Sequence, residues 1–171
     1  LSHSRAFTVR AYLLQTHEML FDALTQAFRV LGGVPQRGIF DNMKTAVDRI
    51  GSGKARQVNA RFAAMASHYL FEPEFCNPAS GWEKGQVEKN VQDRRRHIWR
   101  EATERRWASL DELNAWLGTR CRAAWEEMRH PQWPELTIAE LLQDEQVRLM
   151  PMPRIFDAYV EQPVRVSATG L

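Results

Sequence analysis

Phe7, Val9, Ala11 and Leu13 alternate with Thr8, Arg10 and Tyr12. That period of two predicts a strand with one apolar face. From Thr16 the period changes, and Met19, Leu20, Ala23, Leu24, Ala27, Phe28 and Leu31 recur at helical spacing until Gly32-Gly33 stops the helix. Val34-Pro35 opens a turn, and Gly38 to Phe40 reads as a short buried strand that ends by presenting Asp41. Asp41 to Ile50 reads as the start of a helix. Gly51-Ser52-Gly53 breaks it and, with Lys54 and Arg56, forms a mobile basic loop or a plain surface connector.

Val58 to Leu70 has helical spacing through Phe62, Met65, Ala66 and Tyr69, and Phe71 to Phe75 is a short extended run. Asn77-Pro78-Ala79-Ser80-Gly81 excludes regular structure and predicts a flexible loop. A helix from about Glu83 to Glu101 follows, with Val87, Val91 and Ile98 facing a core. Lys84, Glu88, Gln92, Arg95 and Trp99 share a second face of it. Capping boxes, Ser109 with Glu112 and Thr137 with Glu140, announce two more helices. The first carries Leu113, Trp116, Leu117, Cys121, Ala124 and Trp125; the second carries Ile138, Leu141, Leu142, Val147 and Leu149. His130 to Pro134 separates them, and Pro151 and Pro153 end the helical region. Val160 and Val164-Arg165-Val166 read as the start of a small β domain.

The order strand, helix, strand, helix, strand, helix predicts an α/β fold with helices appended. Its 171 residues, 44% hydrophobic and 26% charged, suit one globular domain with an appendage. No apolar run approaches the ~20 residues of a membrane span, and Leu1-Ser2-His3-Ser4 carries neither an initiator Met nor a signal pattern. The start therefore fits a piece of a longer protein. Cys76 and Cys121 are too few and too far apart for a disulfide framework, so a reducing cytoplasmic setting is the default. The His residues have no zinc-ligand spacing. A net charge of +2 neither demands nor excludes nucleic acid.

Distribution matters more than that total. Arg94-Arg95-Arg96, Arg100, Arg105 and Arg106 concentrate positive charge after the Glu88 face, as a solvated face or as a DNA-backbone footprint. Asp41 at a strand end and Glu88 on a helix are the carboxylates that a Mg²⁺ site for phosphoryl transfer needs. Read singly, Asp41-Asn42 is an ordinary cap or turn, and Lys84 with Glu88 an ordinary helical ion pair. Cys121 reads as a small core residue.

Gly32-Gly33-Val34-Pro35, Phe40-Asp41-Asn42-Met43-Lys44-Thr45-Ala46-Val47, His68-Tyr69 and Glu83-Lys84-Gly85-Gln86-Val87-Glu88 occur in that order. Together, over nearly the whole chain, they resemble IstA-type bacterial insertion-sequence transposases, of the retroviral-integrase-like DDE group. The resemblance implies an incomplete RNase H-like (integrase catalytic core) fold over residues 1–104. A helical connecting region over 105–150 and the start of a truncated C-terminal β segment over 151–171 would follow. It implies three metal-binding acids, Asp41 matching the second and Glu88 the third, with the first on an opening strand upstream of Leu1. Mg²⁺ or Mn²⁺ would be the cofactor of the complete core. The implied reaction is DNA strand cleavage and strand transfer, with Lys84, Gln92, Arg94, Arg95, Arg96 and Arg100 on the DNA. The implied partners are DNA, further copies of the chain and an AAA+ ATPase helper. Lacking the first Asp, this chain alone is expected not to cleave. Two other readings stay open: a non-catalytic DNA- or protein-binding remnant, and a structural helical module in which Asp41 is a cap and Glu88 is solvated.

Overall fold

The computed structural model describes residues 1–41, 43–50, 56–76 and 96–157. The elements in chain order are α1 (His17–Leu31), β1 (Arg37–Phe40), β2 (Val47–Ile50), β3 (Arg56–Val58), α2 (Ala60–Tyr69) and β4 (Glu72–Phe75). Residues 96–103 are helical and form α3 here; α4 (Leu110–Glu127) and α5 (Ile138–Gln146) follow. The architecture is mixed α/β. β1 and β4 pair in parallel, with Phe40 opposite Phe75, and β2 and β3 form an antiparallel hairpin. Parallel neighbours need a long crossover. The β2–β3 hairpin and α2 supply it.

Local chemistry explains the helix ends. Thr16 accepts the Met19 N–H to start α1, and Gly32, at φ 89°, ends it in the left-handed region that suits glycine. Asn59 accepts the Arg61 and Phe62 N–H groups to start α2. Thr137 and Glu140 form the full reciprocal capping box of α5. Ser109 caps α4, but Glu112 reaches one residue further back and accepts from the Ala108 N–H at 2.7 Å.

The core has three joined parts. In the first, Phe21 and Phe28 of α1 pack against Phe62, Met65 and Tyr69 of α2 and against Phe71. Residues Met150, Met152 and Phe156 return over this cluster, tied by the Val34–Met150 bridge and by the Phe156 N–H donating to the Tyr69 hydroxyl at 3.1 Å. Thr25 Oγ1 shares a 2.9 Å hydrogen bond with that hydroxyl, so the buried oxygen is satisfied on both sides. The second part joins Ala6, Leu31 and Trp125 to Ile138 and Leu142 of α5. The third packs Ala11 against Ile98, Leu117 and Cys121.

Three expectations are corrected. Residues 7–13 are extended but belong to no strand. Their inner edge is taken by α4: the Ala11 N–H donates to Asn114 Oδ1 at 2.7 Å, and Asn114 Nδ2 donates back to the Ala11 carbonyl at 3.1 Å. The stretch after Asp41 makes a turn and then β2 rather than a helix, with Ala46 and Val47 buried. β-Branched Val47 and Ile50 favour that outcome. Arg56 and Val58 belong to β3, so the loop and α2 are both shorter than their composition suggests. In α5, Val147 is the C-cap residue and 83% exposed, not part of the buried face. The Asn77–Gly81 loop, the first part of the Glu83–Glu101 helix and the Val160–Val166 segment lie outside the described residues.

Candidate functional site

Asp41 follows directly on Phe40, the last residue of β1, at the carboxyl end of the parallel pair. The Phe40 side chain anchors that end. Its ring meets Phe62 at 5.1 Å in an edge-on contact and lies 5.8 Å from Phe71 and 6.1 Å from Phe75. These rings fix the strand terminus over α2. The Cys76 N–H donates to the Phe40 carbonyl at 3.0 Å, which extends the pairing alongside Asp41. The Met43 N–H donates to the Asp41 carbonyl at 2.8 Å, turning the chain away toward β2. Asp41 is therefore exposed at the strand edge, with its backbone held. A carboxylate there has the oxygen-donor chemistry that Mg²⁺ takes. Among the described residues no three His, Cys, Asp or Glu side chains gather as a metal-ligand set.

Glu88, Lys84, Gln92, Arg94 and Arg95 lie outside the described residues. Arg96 and Arg100 are in α3 and both are exposed. α3 buries Ile98, at 2% exposure, and Ala102 at 3%, which turns these arginines outward. On its flank Arg120 of α4 donates to both carboxylate oxygens of Glu101, at 2.7 and 3.1 Å. That fork of hydrogen bonds is the main cause holding the Glu101 carboxyl below the usual range. Arg120 is thus a structural tie between α3 and α4. The Arg105 guanidinium sits 5.0 Å from the Trp116 ring centroid, and Trp107 lies 5.2 Å from the same ring. Arg106 is exposed beside it. The outward arginines of the described part are therefore Arg96, Arg100, Arg105 and Arg106.

Cys121 is buried among Ala11, Ile98 and Leu117, and burial pushes its thiol up from the ordinary range. It is a core residue, as its position in the helical pattern implies. Asn114 is the residue that the sequence did not single out. One polar residue on an apolar helical stripe, between Leu113 and Leu117, is the signal that marks it.

No family model matches the chain. Over all 171 residues it is 59% identical to a transposase for insertion sequences IS1326/IS1353 from Pseudomonas aeruginosa. It is 60% identical, again over its whole length, to a transposase from Aminobacter aminovorans. Over 91 residues, 53% of the chain, it is 38% identical to the transposase for insertion sequence element IS21 from Pseudomonas aeruginosa. The chain spans about a third of the length of the two longer-matching relatives. No described helix is long and apolar enough to cross a membrane. With whole-chain identity at this level, the chain belongs to the insertion-sequence transposases.

Proposed function

We propose that these residues form part of the catalytic core of a DDE transposase, with an RNase H-like fold completed by chain outside them. In this reading the whole protein acts on DNA, cleaving and joining strands at the transposon ends. The observation that carries it is Asp41 at the carboxyl end of a parallel strand pair, in a chain that matches transposases along its entire length. Open α/β sheets put ligand sites at that edge. Asp41 and Glu88 would hold Mg²⁺ or Mn²⁺ together with an acid from outside these residues; the metal would activate the attacking oxygen and stabilise the leaving one. Phe40 and its ring neighbours keep Asp41 at a fixed height on the sheet edge. Lys84, Gln92, Arg94, Arg95, Arg96 and Arg100 would contact phosphates, which positions DNA without reading its sequence. Further copies of the protein and an AAA+ ATPase helper would act as partners.

The test uses the Pseudomonas aeruginosa IS1326/IS1353 relative with its matching third replaced by these 171 residues. Metal-dependent cleavage of transposon-end DNA is expected, and Asp41→Asn or Glu88→Gln should each abolish it. The 171 residues alone should not cleave. Cleavage that survives both substitutions would overturn the assignment. DNA binding without cleavage in the full-length chimera would favour the non-catalytic reading, for which the outward arginines of α3 speak.

A further inference from the structure

The extended segment at residues 7–12 is bonded along one side only. The Phe7 carbonyl accepts from Trp125 Nε1 at 3.0 Å, the Val9 backbone hydrogen-bonds Cys121, and Ala11 is held through both its N–H and its carbonyl by Asn114. All three partners lie on α4, at positions 114, 121 and 125, so one stripe of a helix stands in for a neighbouring strand. In extended backbone the N–H and C=O of successive residues point to opposite sides. The groups of Thr8, Arg10 and Tyr12 therefore point away from α4, and among the described residues their backbones make no hydrogen bond. Beside this edge runs a groove of about 190 Å³, lined by Thr8, Val9 and Arg10 and walled by the small residues Ala23 and Ala27 of α1 and Ala115 and Gly118 of α4. A Cβ added at Gly118 would meet nothing closer than Arg122 Nη1 at 3.8 Å. An extended edge fixed on one side and open on the other is the arrangement that accepts an added strand.

We infer that Thr8, Arg10 and Tyr12 form the receiving edge for a β-strand of the same polypeptide lying outside these 171 residues. The occupant follows from length, because the relatives matched along the whole chain are about three times as long. Two further observations fit. The segment is pre-extended, so little backbone entropy is lost when the ladder closes. Arg10 and Tyr12 are both tied to Asp22 of α1, at 3.2 and 2.6 Å, which holds the edge in place. For the identity of the occupant the inference rests on the catalytic-core reading; its test uses neither DNA nor metal, so it fails or succeeds separately from cleavage.

The experiment is residue-resolved amide hydrogen exchange on the 171-residue chain and on the full-length chimera described above. In the chain alone the Ala11 N–H is expected to be protected, while Thr8, Arg10 and Tyr12 exchange like exposed amides. In the chimera the amides of Thr8 and Arg10 should slow at least tenfold, and Gly118→Leu, which fills the groove, should reverse much of that slowing. Equal exchange of these amides in both proteins would overturn the inference. Protection that appears in the 171-residue chain on raising its concentration would also overturn it, in favour of a second copy as occupant.

Discussion

At the residue scale, single polar side chains do work that a missing neighbour would otherwise do. Asn114 is 8% exposed and satisfies both backbone groups of buried Ala11. Asn114→Ala leaves a buried N–H and a buried C=O without partners, at a cost of about 2–4 kcal/mol. Urea denaturation should read that loss, and an unchanged midpoint would mean that water takes over both bonds. Glu18 is a second case. Hydrogen bonds from its own backbone N–H, and then from Arg61 at 2.7 Å, hold its carboxyl down at about 2, against an ordinary 4.5. A lowered folded value means that its contribution is complete above pH 4.5 and is lost as pH falls toward 2. Glu18→Gln should therefore flatten the acid side of a stability–pH curve between those values and leave its slope above pH 5 unchanged. None of this was legible in the sequence, because Asn114 and Glu18 find their partners over 103 and 43 positions.

At the element scale, helices were legible and strands less so. α1, α2, α4 and α5 follow from apolar spacing and caps, which are local signals. β1 and β4 were also read correctly, because each is a short extended run next to a breaker. The alternation at residues 7–13 gave the extended conformation but not its pairing, since pairing depends on a partner that period-2 reading does not contain. The turn and β2 after Asp41 were missed because Met43 to Val47 is compatible with a helix until Ala46 is buried against α2. Joints between elements set further limits. At Gly33 a Cβ would lie 2.7 Å from Leu149 Cβ and 2.8 Å from the Met150 carbonyl, where the C-terminal segment bridges back to Val34. Gly33→Ala should cost about 1–3 kcal/mol by overpacking, with the backbone unable to give. Gly118→Ala faces open space and should instead be neutral or stabilise by up to about 1 kcal/mol, as an alanine in a helix interior does. Melting both variants side by side tests whether space or glycine's freedom decides.

At the scale of the whole molecule, the site is spread over elements whose order the sequence made readable and whose meeting it did not. Asp41 was found from the strand that leads into it, whereas its relation to Glu88 depends on residues outside the described part. Charge behaves differently, because a cluster acts through its field and not through one geometry. With Ile98 and Ala102 turned to the core and Arg120 bound to Glu101, α3 sends Arg96 and Arg100 to solvent, continuous in sequence with Arg94 and Arg95. The chain should therefore bind duplex DNA weakly and without sequence preference. Each phosphate contact releases condensed counterions, so the slope of log affinity against log salt should fall by about 0.9 for every contact removed. Replacing Arg94, Arg95 and Arg96 by Gln together should flatten that slope, while Arg29→Gln, an exposed arginine on α1, should leave it unchanged. Fluorescence anisotropy with a labelled duplex across a salt series makes the measurement. An identical slope for the triple variant and the unsubstituted chain would mean that these arginines are only a solvated face.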